Sequence, residues 1–121
     1  MNRLLVFSAA VLAFALSACG TSPEQLCNDA VAAMCNKMYT CYTGAELDAI
    51  KSQFGPTEAD CTSKFKTQAA CASKKDSSTA CETGKTYDAS AASACVSDFK
   101  ALSCEALKGN MTPTSCDNVC K

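Results

Sequence analysis

The chain is predicted to fold as an all-α, small disulfide-rich domain of four or five short helices. Three observations predict this fold class. Apolar residues recur at spacings of three and four rather than alternating. There are 11 cysteines among 121 residues. Large apolar residues are scarce, so that covalent cross-links rather than a large core are expected to hold the fold together.

The first helix is predicted from Pro23 to about Tyr42. Ser22 suits the N-cap, Pro23 suits the first helical position, and Gln25 stands where a capping box places it. The face expected to be buried consists of Leu26, Cys27, Ala30, Val31, Met34, Cys35 and Met38. Thr43-Gly44 follows as a stop signal.

Two further helices are expected before the middle of the chain. The residues from Ala45 to Phe54 form a short helical pattern that stops at Gly55-Pro56. Thr57 to Asp60 resembles a second capping box and predicts a helix from about Glu58 to Lys74.

The rest of the chain is predicted as a loop, two helices and an irregular tail. The polar segment 76–87 reads as a loop tied down by Cys81. Asp88 can cap a helix that runs to Leu102, and a break at Ser103 precedes a short turn to Lys108. From Asn110 onward no regular element is expected.

Residues 1–18 are expected to be a lipoprotein signal peptide and are set aside from the fold. Met1-Asn2-Arg3 is a short basic start, and Leu4 to Leu16 is an apolar run without charge. Because this run is shorter than the roughly 20 residues that a membrane-spanning helix needs, an uncleaved anchor is the less favoured interpretation.

The tetrapeptide Leu16-Ser17-Ala18-Cys19 resembles a bacterial lipobox. The resemblance implies that Cys19 is the lipidation site and the first residue of the mature chain. Residues 19–22 would then be the acylated cysteine and a short tether, and residues 23–121 the disulfide-stapled domain. It also implies a lipid-anchored protein of the bacterial cell envelope, and Gly20 in place of an aspartate favours the outer membrane.

Setting Cys19 aside leaves an even number of cysteines, which are expected to form about five disulfide bonds in an oxidising compartment. These are Cys27, Cys35, Cys41, Cys61, Cys71, Cys81, Cys95, Cys104, Cys116 and Cys120. About 945 pairings are possible, and the connectivity stays open. Two cysteines on one helix cannot pair if they lie eight or ten residues apart, so the bridges should join different segments. A thiolate metal cluster is the disfavoured alternative.

Several function classes are excluded or disfavoured by composition. Once the expected signal peptide with Arg3 is removed, ten lysines and twelve carboxylates remain, a formal charge of −2. A nucleic-acid-binding protein is expected to be basic instead. There is no histidine, no Cys-x-x-Cys pair and no glycine-rich phosphate loop. No enzyme activity, metal or cofactor is therefore expected.

Three side-chain groups have both a functional and a structural interpretation. The aromatic and sulfur cluster Met38-Tyr39-Cys41-Tyr42 could bind a partner, but the end of a packed helix is favoured. The lysines Lys64, Lys66, Lys74 and Lys75 are favoured as a solvated face over a basic patch. Glu58 and Asp60 are favoured as helix-start residues over an acid–base pair.

The whole chain also resembles small Cys-rich helical lipoproteins that are abundant in myxobacteria. The ending Cys104-x2-Leu107-x-Gly109-x3-Pro113-x2-Cys116 carries the resemblance most clearly, and residues 30–41 match more loosely. The resemblance implies a localisation and a fold but no activity. The expected function is a non-enzymatic envelope lipoprotein that contacts a membrane through lipid on Cys19 and an envelope protein or the cell wall through its surface. The alternative is a small-molecule or lipid carrier with a pocket lined by Met34, Met38, Phe65 or Phe99.

Overall fold

The computed structural model describes residues 20–121, which form five helices and no strand. The helices in chain order are α1 (Pro23–Cys41), α2 (Gly44–Phe54), α3 (Glu58–Gln68), α4 (Ala89–Ala101) and α5 (Cys104–Lys108). Two 3₁₀ turns, Cys71–Ser73 and Thr114–Asn118, complete the regular structure of this part of the chain. The predicted fold class, a small disulfide-rich all-α domain, is confirmed. The expected signal peptide and Cys19 lie outside the described residues.

Helix α1 begins where its capping signal predicts. The Ser22 hydroxyl accepts a hydrogen bond from the Gln25 backbone N–H at 3.2 Å, which satisfies one of the free N–H groups of the first turn. Within α1, Val31 and Cys35 are buried on the face that the spacing predicts. Ala33 is also buried, although it lies off that face. At 19 residues, α1 is about 28 Å long and is the longest element of the described chain.

Helices α1 and α3 run antiparallel and enclose the main core. The bridges Cys27–Cys71 and Cys35–Cys61 link the two segments in opposite order along the chain. Cys35, Cys61 and Cys71 are the largest side chains that are fully buried, and Val31 packs among them. The core is therefore built largely from sulfur, which compensates for the shortage of large aliphatic residues.

Two aromatic contacts extend this core toward α2. Phe54 stacks on Phe65 with ring centroids 4.7 Å apart, and both rings pack against the buried cysteines. The Tyr39 hydroxyl donates a hydrogen bond to the Gly55 carbonyl just beyond the end of α2. No residue of α2 is buried, so these contacts at its C-terminal end hold it to the domain.

The third helix is shorter than predicted. It ends at Gln68 instead of Lys74, and Ala70 adopts a left-handed conformation with φ of 51° before the 3₁₀ turn at Cys71. The reason lies in the two bridges to α1. Cys27 and Cys35 are eight residues apart but Cys61 and Cys71 are ten apart, so on two straight helices one pair would be displaced by roughly 3 Å. The break at Ala70 redirects Cys71, and the predicted position of Lys74 and Lys75 at a helix end is wrong.

The capping box predicted for α3 is fully formed. The Thr57 hydroxyl accepts from the Asp60 N–H at 3.2 Å, and the Asp60 carboxylate accepts from the Thr57 N–H at 3.1 Å. Aspartate is thus long enough to replace the usual glutamate or glutamine at this position.

Helix α4 lies beside α1 and runs in the same direction. At one end the Thr21 and Ser93 hydroxyls are 2.7 Å apart, and at the other the bridge Cys41–Cys104 joins the end of α1 to the start of α5. Small side chains line much of α4, and its buried residues are Ala92 and Val96. The break predicted at Ser103 is present, and its hydroxyl caps α5 through the Ala106 N–H at 3.1 Å.

The segments flanking α4 are held by the two remaining bridges. Cys95–Cys116 fixes the second 3₁₀ turn against α4. Cys81–Cys120 joins the polar loop that precedes α4 to the C-terminal segment. The 3₁₀ turn at Thr114–Asn118 lies in the tail that the sequence predicts as irregular. Tyr87 and Cys120 form an isolated antiparallel bridge between the two segments.

The unequal burial of the bridges generates a stability prediction. Replacing Cys35 and Cys61 together by alanine should lower the free energy of unfolding by more than the same change at Cys81 and Cys120. Both variants lose a loop constraint of about 2–4 kcal/mol, but only the first also opens a cavity in the core. Chemical denaturation of the two variants measures the difference. Equal losses would show that the buried bridge contributes nothing through packing.

Candidate functional site

In residues 20–121 no group of three potential metal-ligating side chains converges, and no charged or polar side chain is buried. The ten cysteines of this range are all paired with one another. None of these ten is therefore available as a thiolate ligand or nucleophile.

Two shallow depressions lie on the surface of the described residues. One lies on the outer face of α3 between Glu58 and Lys66, and the other lies between the start of α1 and the 3₁₀ turn at Cys71. Both are open to solvent. Neither is lined by the methionine and phenylalanine side chains nominated for a carrier pocket, and Phe65 is instead stacked on Phe54.

The most informative contacts are made by the residues that follow Cys19. The Thr21 N–H donates to the Ala89 carbonyl at 3.0 Å, and the Thr21 hydroxyl lies 2.7 Å from the Ser93 hydroxyl. The Tyr87 hydroxyl donates to the Thr21 carbonyl at 2.5 Å. We refer to Gly20, Thr21, Tyr87, Ala89 and Ser93 as the N-terminal docking site. Thr21, which the sequence assigns to a tether, is thus hydrogen-bonded to the folded domain.

Gly20 fits the N-terminal docking site because it has no side chain. Its φ of +61° is in the left-handed region, and a Cβ atom at this position would lie 2.6–2.8 Å from Ala89 atoms that include backbone. Any other residue must move the chain away from Ala89. In the sequence Gly20 bears only on membrane sorting, and no local signal predicts this contact.

Tyr87 joins three segments of the chain at one place. Its hydroxyl holds Thr21, while its neighbours Thr86 and Asp88 exchange backbone hydrogen bonds with residues 119–121 at 2.7–3.1 Å. A phenol is protonated near neutral pH at its ordinary pKa of about 10, and burial raises the pKa of Tyr87 further, so its hydroxyl can donate. The start of α1, the start of α4 and residues 119–121 are therefore tied together.

An ion pair reinforces this junction. The Lys121 ammonium lies 2.6 Å from the Asp88 carboxylate, which also accepts a hydrogen bond from the Ala91 N–H at 2.9 Å. The hydrogen bond from Lys121, followed by that from Ala91, lowers the pKa of Asp88 below its ordinary value. Asp88 thus caps α4 and holds Lys121 with the same side chain.

The cluster Met38-Tyr39-Cys41-Tyr42 is divided between packing and the surface. Cys41 is buried in its bridge, and Tyr39 packs on the core. Tyr42 lies under the Lys108 ammonium, with 5.0 Å from the nitrogen to the ring centroid. Its members contact different neighbours, as the end of a packed helix does.

The other two groups nominated from sequence are also placed by the structure. Glu58 and Asp60 lie in the first turn of α3, where Asp60 serves the capping box and Glu58 accepts from the Asn36 amide at 3.3 Å. Lys64 and Lys66 belong to α3, whereas Lys74 and Lys75 lie beyond its end and are exposed. The four lysines therefore do not share one helix face.

Comparison of the chain with protein-family models, with curated proteins and with solved structures finds no match. Among residues 20–121 none of the helices combines the length and the apolar character needed to cross a bilayer.

The N-terminal docking site predicts a local effect of Tyr87→Phe. This change removes the hydrogen bond to the Thr21 carbonyl, which contributes about 0.5–1.5 kcal/mol. The Thr21 amide should then exchange its hydrogen about two- to tenfold faster, as measured by NMR. Tyr39→Phe is the matched control, since it removes a hydroxyl that bonds Gly55 instead. An unchanged Thr21 rate in Tyr87→Phe would contradict the contact.

The lowered pKa of Asp88 predicts a pH dependence. Because the folded pKa is below the unfolded value of about 3.9, the stabilisation is present above that value and is lost as pH falls through the folded pKa. Asp88→Asn should lower the melting temperature near neutral pH, and the difference from the parent protein should vanish in strong acid. Asp48→Asn, which changes an exposed carboxylate of α2, is the control. A difference that does not depend on pH would rule out this ion pair as its cause.

Proposed function

We propose that this chain is an envelope lipoprotein anchored to a membrane through lipid on Cys19, and that its domain is a non-enzymatic interaction or structural module. The observation that carries the proposal is the pairing of the cysteines. The ten cysteines of residues 20–121 are consumed by five bridges. Cys19, at the end of the lipobox-like tetrapeptide, is the one cysteine that these pairs leave for another chemistry.

The bridges also support a location outside the cytoplasm. Disulfide bonds persist in oxidising compartments and are rare where glutathione and thioredoxin keep thiols reduced. A domain whose fully buried large side chains are Cys35, Cys61 and Cys71 depends on such a compartment for its core. Export through a cleaved leader supplies that environment.

The character of the surface supports an interaction or structural role over catalysis or carriage. The two depressions described above are open to solvent, whereas a carrier for apolar molecules uses an enclosed pocket. Among residues 20–121, Met111 is the large hydrophobic side chain that stands exposed, with 62% of its surface accessible, and a single such residue is not a binding patch. The proposed partner is an envelope protein or the cell wall, bound through polar surface.

Intact mass of the membrane-extracted protein tests the proposal. We expect a chain that starts at Cys19, a mass increment from two or three acyl chains, no alkylation before reduction and ten alkylated cysteines after it. A Cys19→Ser variant should lose the increment and leave the membrane fraction, because its anchor is gone. A density gradient then separates inner from outer membrane, and we expect the parent protein in the outer membrane. A different mature start, or thiols that react before reduction, would overturn the proposal.

A further inference from the structure

We infer that the N-terminal docking site fixes the orientation of the domain on the bilayer, with the N-terminal ends of α1 and α4 facing the lipid and the end formed by α2 and α5 facing away. This inference rests on the proposed lipid anchor at Cys19. It adds which surface lies against the membrane and which surface is presented to a partner.

The first step is the absence of a free linker. Cys19 is bonded directly to Gly20, and successive α-carbons are 3.8 Å apart. Gly20 lies against Ala89, and Thr21 makes three hydrogen bonds to Tyr87, Ala89 and Ser93. A flexible tether would let the domain rotate freely above its anchor. Here the acylated residue is attached to a position that is already held on the folded surface.

The second step is the direction of the helices. Both α1 and α4 begin at the N-terminal docking site, and they end together at the bridge Cys41–Cys104. The length of α1, about 28 Å for 19 residues, separates the two ends of the domain. The far end of α1 therefore lies roughly 28 Å from the residue beside the lipid anchor.

The third step is the set of contacts that joins α2 and α5 at the far end of the domain. The Lys108 ammonium of α5 lies 3.6 Å from the Glu46 carboxylate of α2 and 5.0 Å from the centre of the Tyr42 ring. With the bridge Cys41–Cys104, these contacts join α2 and α5 into one surface. No residue of α2 is buried, and exposed side chains such as Asp48 and Lys51 are available to a partner. We refer to this surface as the α2–α5 end.

Tryptophan quenching tests the orientation directly, because the chain contains no tryptophan. The acylated protein with Ser90→Trp reports on the first turn of α4, and the acylated protein with Ala45→Trp reports on the α2–α5 end. Both positions are exposed helix-start residues, which makes the two variants a matched pair. Each variant is reconstituted into phosphatidylcholine vesicles whose acyl chains carry bromine, a short-range quencher, and into vesicles without bromine.

We expect Ser90→Trp to lose about half of its fluorescence to bromine and Ala45→Trp to lose almost none, given roughly 28 Å between the ends. Adding Gly20→Ala to each variant places a Cβ against Ala89 and should bring the two quenching values together. Equal quenching in protein with glycine at position 20, or stronger quenching of Ala45→Trp, would overturn the inference. The mass of each preparation is recorded first. If Cys19 carries no lipid, the proposed function and the inference both fail. If the protein is acylated but Ser90→Trp is quenched no more than Ala45→Trp, only the orientation is overturned.

Discussion

The fold depends on the covalent connection of α1 to α3 and to the 3₁₀ turn that follows α3. Cys27–Cys71 and Cys35–Cys61 place four sulfur atoms around Val31, where a larger protein would have leucine and isoleucine. These bridges limit the unfolded chain and also fill the interior of the folded one. The same constraint ends α3 at Gln68, because a straight continuation could not bring Cys71 to Cys27.

Much of the helical architecture could be predicted because its signals are local. Ser22, Thr57 and Asp88 cap helices at the predicted positions, each with its own side chain. Ser103, where the sequence predicts only a break, caps α5 in the same way. The end of α3 could not be predicted because it is determined by partners in α1, far away in sequence. For the same reason the pairing of the cysteines could be limited by helix geometry but not chosen.

The candidate site shows the same division. Cys19 is nominated by a short motif, whereas the contacts of Gly20 and Thr21 with Ala89 and Tyr87 join residues more than 60 positions apart. No local sequence pattern predicts contacts between residues so far apart in the chain. Gly20 reads as a linker residue in the sequence, yet its positive φ and its closeness to Ala89 make it part of the domain.

The order of the cysteines along the chain has a consequence for biosynthesis. The five bridges are 27–71, 35–61, 41–104, 81–120 and 95–116, so no cysteine of residues 20–121 is bonded to the next one in sequence. An oxidant that joined these thiols in their order of synthesis would form no native bridge. The native pattern therefore requires either that α1 is helical before oxidation, which holds Cys27 and Cys35 about 12 Å apart, or that wrong bonds are exchanged afterwards. By the second route, a cell that makes this protein needs a catalyst that reshuffles disulfides as well as one that creates them.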